Sequence, residues 1–205
     1  ALQWSTPTTA CCGRRGHAAG SGKAWGTHEL RGTSPSNTAG VAGGADSGAA
    51  QGRDLSVAGV AGGSIQVTVE HNNVCQYNNV GISCQTTSTF SLDAKIDNNT
   101  AASPGTNPSF FGDGLQLNAG TTTGDTNAVC FDAFANNLTG SGFGGGADYK
   151  LRQRQSTTVR LPGYSGTTVA QVQTFMAAQQ TPTNPTTLAT QTGTITGGTT
   201  ACNTP

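Results

Sequence analysis

Five aspartates, Asp93, Asp97, Asp113, Asp125 and Asp132, stand in the middle of the chain beside Asn98, Asn99 and Asn127. Carboxylates and amides are the oxygen donors that calcium takes, about six to eight at a time. Stacked turns would bring Asp97, Asp113 and Asp132 near one another, so the five are the candidate ligands of a calcium ion. No loop has the EF-hand spacing or the repeated nonapeptide of calcium-binding solenoids. Asp and Asn are also the common turn formers. The same carboxylates raise hydrolysis as a second chemistry. Cleavage of a glycosidic bond needs two carboxyl groups roughly 5–9.5 Å apart, and Asp93 and Asp132 would share one strand face with Lys95 nearby. His71 follows Glu70 and is the lone histidine after residue 50. It could serve a metal-bound water, although a histidine at a strand end is more often a solvated corner. No nucleophile elbow is present: 163–166 reads Gly-Tyr-Ser-Gly, one residue short of the required spacing.

Six cysteines, Cys11, Cys12, Cys75, Cys84, Cys130 and Cys202, point to an oxidising compartment. Several pairings are open. Cys75 with Cys84 would form a local staple, and Cys130 with Cys202 would tie the C-terminal tail to the body. Cys11 and Cys12 are adjacent and His17 is five residues on, which is not a zinc-ligand spacing.

These groups need elements to position them, and composition narrows the choice. Of 205 residues, 30 are Gly, 34% are hydrophobic and 10% are charged. Helical bundles need Leu, Ala, Glu and Lys at a 3.6 period, and Leu and Glu are scarce here. Val, Ile and Thr are common and the net charge is +0, which opposes wholesale disorder. A balanced charge also argues against nucleic-acid binding. The densest basic run, Arg152, Arg154 and Arg160, reads as a solvated strand face. No stretch reaches the roughly 18 apolar residues of a membrane span. What remains is an all-β protein with short core strands and many turns.

Its strands recur. Residues 65–74, 91–100 and 129–138 each alternate apolar and polar residues and then close on Asn-Asn, at intervals of 26 and 38 residues. A second strand type, beginning at 80, 113 and 148, follows each Asn pair, with an earlier copy at 54–57. Two short strands, an Asn turn and a period in the twenties mark a β-solenoid. Each turn of chain buries too little apolar surface to stand alone, and stacking pairs every strand edge. Asn at one corner of successive turns can bond side chain to side chain along the stack. One misfit arises. The inward sets Ile65, Val67, Val69 and Leu92, Ala94, Ile96 are 27 apart, not 26, so one residue must be absorbed by a bulge or by the corner. The longer interval calls for a loop at 101–111. Residues 167–179 place Val169, Val172, Phe175 and Met176 at helical spacing, a short helix suited to capping the open end. The expected organisation is an irregular N-terminal segment or cap over 1–50, right-handed parallel β-helix turns over 51–166, and a capping helix with a disulfide-tethered tail over 167–205.

The stretch from Val57 to Cys202 resembles the C-terminal end of bacterial surface proteins with parallel β-helix repeats, adhesin-like or autotransporter-like. The Asn-Asn turns, 113–117, 124–130 and above all 151–164 carry the likeness. It implies export to the cell surface or beyond and assigns no catalytic residues. The expected function is therefore an exported binding or structural module that meets a glycan or another cell-surface partner. The alternative is a calcium-dependent hydrolase acting on a polysaccharide or on a small ester or lactone such as an acyl-homoserine lactone. A third reading, ice or mineral binding through Thr121–Thr123, lacks a regular threonine ladder. An uncovered terminal edge would also suit a homo-oligomer.

Overall fold

The computed structural model describes residues 53–105, 107, 109, 111–182 and 185–205 in full, and the backbone of three earlier strands. The protein is all-β; among the described residues there is one short helix, and the strands form three parallel sheets. The first sheet runs in the order β1 (Gly20–Trp25), β4 (Arg53–Val60), β7 (Val80–Thr86), β10 (Asp113–Ala119), β12 (Tyr149–Gln153), β14 (Thr187–Gln191). The second stacks β2 (Glu29–Pro35), β5 (Ser64–Glu70), β8 (Ser91–Asp97), β11 (Ala128–Phe134), β13 (Thr158–Arg160) and β15 (Thr194–Thr196). A narrow third sheet holds β3 (Thr38–Ala39), β6 (Asn73–Cys75) and β9 (Thr100–Ala102). The chain visits the three sheets in turn up to β9 and thereafter alternates between the first and second, pairing each strand with the one from the preceding visit. Among the described residues no helix is long and apolar enough to cross a membrane.

Alternation puts like residues in line through the stack. Val57, Cys84, Leu117, Leu151 and Ala189 share one register position of the first sheet. Ile65, Leu92, Val129, Val159 and Ile195 share one of the second. All belong to a single core. Of the two places that could absorb the extra residue, a bulge or the corner, it is the corner. Ile65 pairs with Leu92 and Val69 with Ile96 without interruption. The Asn pairs themselves are offset by one. His71, Asn98 and Ala135 are the equivalent left-handed corner residues, with φ of 57°, 54° and 54°. The following residues, Asn72, Asn99 and Asn136, form the buried ladder. His71 is a corner side chain, 59% exposed.

Gln180 takes the next ladder position, its Oε1 accepting from Asn136. It follows helix α1 (Val169–Ala178), whose N-cap Thr168 exchanges hydrogen bonds with Gln171 in a capping box. α1 packs on β14 and buries Val172 and Met176. Two departures from the sequence reading stand out. The segment 1–50 contributes β1, β2 and β3 to the sheets, and the C-terminal tail contributes β14 and β15. Both are Gly- or Thr-rich stretches whose pattern is too weak to signal a strand alone, and both gain order by pairing with a formed neighbour.

Cys130 and Cys202 are joined, closing a loop with a sequence separation of 72. The bond straps the last residues across the outer face of the second sheet. There Arg160 donates to the carbonyls of Thr200 and Ala201, and Thr68 Oγ1 donates to the Pro205 carbonyl at 3.1 Å. The expected Cys75–Cys84 staple is not formed. Cys84 faces inward on β7 between Val57 and Leu117, whereas Cys75 ends β6 in the third sheet. Both are buried free thiols, and burial pushes the Cys84 thiol up to about 12. Cys11 and Cys12 lie outside the described residues.

Candidate functional site

The five aspartates occupy three separate places. Asp93, Asp97 and Asp132 lie on the second sheet. Asp132 is level with Lys95 on the neighbouring strand, and Lys95 pairs with Asp97 at 3.3 Å while its ammonium sits 5.5 Å from the centre of the Phe134 ring. Asp93 lies farther along the same face beside Cys130, Cys202 and Arg160. Asp93, Cys130 and Cys202 are the sole cluster of metal-ligand type among the described residues, and the two cysteines are spent in the disulfide. Asp125 caps a turn, accepting from the Ser88 and Thr122 amides at 2.6 and 2.7 Å. Asp113 opens β10 in the first sheet. No single point gathers all five.

Asp132 carries a testable consequence. Burial pushes its carboxyl up, Lys95 and Arg160 pull it down, and Asp97 adds a like charge that raises it further. The folded protein therefore holds this proton more tightly than the unfolded chain. Stability from this group is greatest at low pH and falls as pH rises from the ordinary carboxylate value of 3.8 through the raised folded value. Asp132→Asn removes the charge. It should raise the Tm at pH 7 by about 1–2 °C, a small margin because the group is half solvated. The gain should vanish near pH 3, and a variant equally shifted at both pH values would contradict the assignment.

Asp113 belongs to a different and more closely built place. Gln116, Asn118, Lys150 and Arg152 point outward from β10 and β12, yet the first three are buried. From the connections between the sheets, Gly112 and Phe143 exchange backbone hydrogen bonds beside this face, and Ser109, Phe111 and Gly145 border it. At the start of β10, Lys150 Nζ meets both oxygens of Asp113 at 2.7 and 2.8 Å. The Asp113 carboxylate also accepts from Gln116 Nε2 at 2.7 Å and from the Ala147 amide at 2.9 Å. Four charge-assisted contacts hold this pair in one arrangement.

Beside the pair opens a cleft of about 460 Å³. Its floor is the outward row Gln116, Lys150 and Leu188, which are register partners on β10, β12 and β14. Arg53 enters from β4 and Arg152 from β12, while Ser109, Phe111 and Gly145 form the loop wall. Among the described residues, Phe111 (65% exposed) and Leu188 (40%) are the large exposed apolar side chains, and both border this cleft. Arg53 Nε is buried without an acceptor, a state that costs about 1–3 kcal/mol. Arg154 lies beyond the rim, donating to Asn118 Oδ1 at 2.5 Å, with its own Nε likewise unmatched.

Sequence reasoning singled out Asp113 but not its partner. Lys150, Arg152 and Arg154 alternate along β12 and just beyond it, so the first two share one strand face. That period-2 spacing was the available signal. Nothing in the order of residues announces that Phe111 would stand over them. Compared with family models, curated proteins and solved structures, the chain matches none.

Proposed function

We propose that the chain is a right-handed parallel β-helix serving as an exported, surface-associated binding module, and that it takes a glycan in the cleft over its first sheet. Support for the architecture comes from the parallel sheets, of which the first two receive a strand on every pass and the third on the first three, and from the strong preference of parallel crossovers for the right hand. The Asn72–Asn99–Asn136 ladder and the disulfide-held tail suit a fold that persists outside the cell. The observation that carries the binding reading is the placing of Phe111 and Leu188 at one cleft among Gln116, Asn118, Arg53 and Arg152. Apolar faces stack on the C–H faces of sugar rings while amides and guanidinium groups bond the hydroxyls. Among the described residues the cleft holds one carboxylate, Asp113, and it is committed to Lys150. A two-carboxylate hydrolysis therefore has no second group there.

The test is retention of the protein in gels containing bacterial or plant polysaccharides. At least one polysaccharide should slow the wild type, and Phe111→Ala should weaken that binding about tenfold with an unchanged circular dichroism spectrum. Migration unaffected by every polysaccharide, or a Phe111→Ala variant that binds fully, would overturn the reading.

A further inference from the structure

We propose that the glycan is an anionic one, carrying carboxylate or sulfate groups, and that Arg53 and Arg152 are its anchors. This rests on the reading of the cleft as the glycan site. Three cations, Arg53, Lys150 and Arg152, line the cleft against one carboxylate, Asp113. Lys150 is neutralised by Asp113, which leaves two guanidinium groups with no acidic partner among the described residues. The excess is local, since the whole chain has a net charge of +0. Of the six Lys and Arg between 53 and 205, four gather at or beside this cleft: Arg53, Lys150, Arg152 and Arg154.

The Nε–H of Arg53 is likewise without an acceptor in the structure. A planar guanidinium presents paired donors that fit the oxygens of a carboxylate or a sulfate, which a neutral sugar does not offer. Arg53 and Arg152 enter from β4 and β12, with β7 and β10 between them. Three strand spacings across the sheet and a register offset of five residues along it, Arg152 being level with Ala58, set their backbones roughly 20 Å apart. Two anchors so separated suit a chain with repeated charges better than a single sugar. Asn118 has given its carbonyl oxygen to Arg154 and keeps its amide N–H donors for hydroxyl groups, and Phe111 supplies the apolar wall.

The experiment measures binding by titration calorimetry to polygalacturonate (carboxylate), heparin (sulfate), methyl-esterified polygalacturonate (the neutral twin) and single-stranded DNA. At least one of the two acidic glycans should bind about tenfold or more tightly than the neutral polymer, with affinity falling as salt rises. Preference between carboxylate and sulfate then identifies the source of the charge. Arg152→Gln and Arg53→Gln should each weaken binding about tenfold with unchanged circular dichroism, and Arg152→Lys should recover part of the loss. Equal binding of the neutral polymer would overturn the anionic class while leaving the glycan reading intact. DNA bound as tightly as the glycans, or arginine variants that bind undiminished, would overturn the proposal. Failure of all three glycans, together with failure of every polysaccharide in the gels, would remove both.

Discussion

Asn99→Ala should cost about 4 kcal/mol of folding stability and lower the Tm by about 10 °C. Asn99 is 1% exposed and spends its whole side chain. Its Oδ1 accepts from the Asn72 amide and from Asn72 Nδ2 at 3.0 and 2.8 Å. Its Nδ2 donates to the carbonyls of Val69 and Asp97 at 2.9 and 3.0 Å and to Asn136 Oδ1 at 2.9 Å. Alanine strands donors above and acceptors beside it in a place too tight for water to replace them, at about 1–3 kcal/mol for each group left without a partner. Against a total stability of about 5–15 kcal/mol this is a large share. The neighbouring residue supplies the control. Asn98 is the left-handed corner, φ 54°, with its side chain bonded to Asp97 Oδ2. Asn98→Gly relieves the backbone and should change stability by no more than about 0.5 kcal/mol. Equilibrium denaturation in urea measures both, and an Asn99→Ala loss below about 1 kcal/mol would mean the ladder is not a stabilising unit.

The contrast between those two asparagines also shows how far the sequence could be read. The strands at 65–74, 91–100 and 129–138 announce themselves by alternation, and β5, β8 and β11 pair in the order their apolar residues demand. Which Asn of each pair forms the ladder does not follow from composition. It is fixed by the strand register, and the register is set by the inward rows of Ile65, Leu92 and Val129. The one-residue mismatch between the Asn pairs and the apolar rows is taken up at the corner for that reason. Cys84 is governed by register too. Close in sequence to Cys75, it occupies a core slot that Val57 and Leu117 fill on adjacent strands, and parallel stacking makes those residues its neighbours. The cleft was least legible. Its parts come from β4, β10, β12, β14 and two connections whose course across the sheet leaves no periodic trace. The aspartates clustered in sequence were the more visible signal, yet parallel stacking sends neighbours in sequence to different sheets and separates Asp113 from Asp93 and Asp132.

Lys150→Met should destabilise the protein by about 3–5 kcal/mol, because it removes one half of a buried ion pair and leaves the other half charged. The side chains of Lys150 and Asp113 are 6% and 3% exposed. Without the ammonium, Asp113 keeps Gln116 Nε2 and the Ala147 amide, two donors that cannot offset a whole carboxylate in a site largely closed to water. Asp113→Asn leaves the ammonium in the same position and should cost a comparable amount. The informative variant is the double one. Lys150→Met with Asp113→Leu removes both charges and restores apolar volume, so its loss should be well below the sum of the single losses, with a coupling energy of about 2 kcal/mol or more. Additive losses would mean that the two groups stabilise the fold independently, through packing and the Gln116 contact. Strong coupling would mean that the outward face of the first sheet is held by a matched pair. The pair then fixes β10 against β12 under the cleft, and Arg53 and Arg152 are the cleft cations with no acidic partner among the described residues.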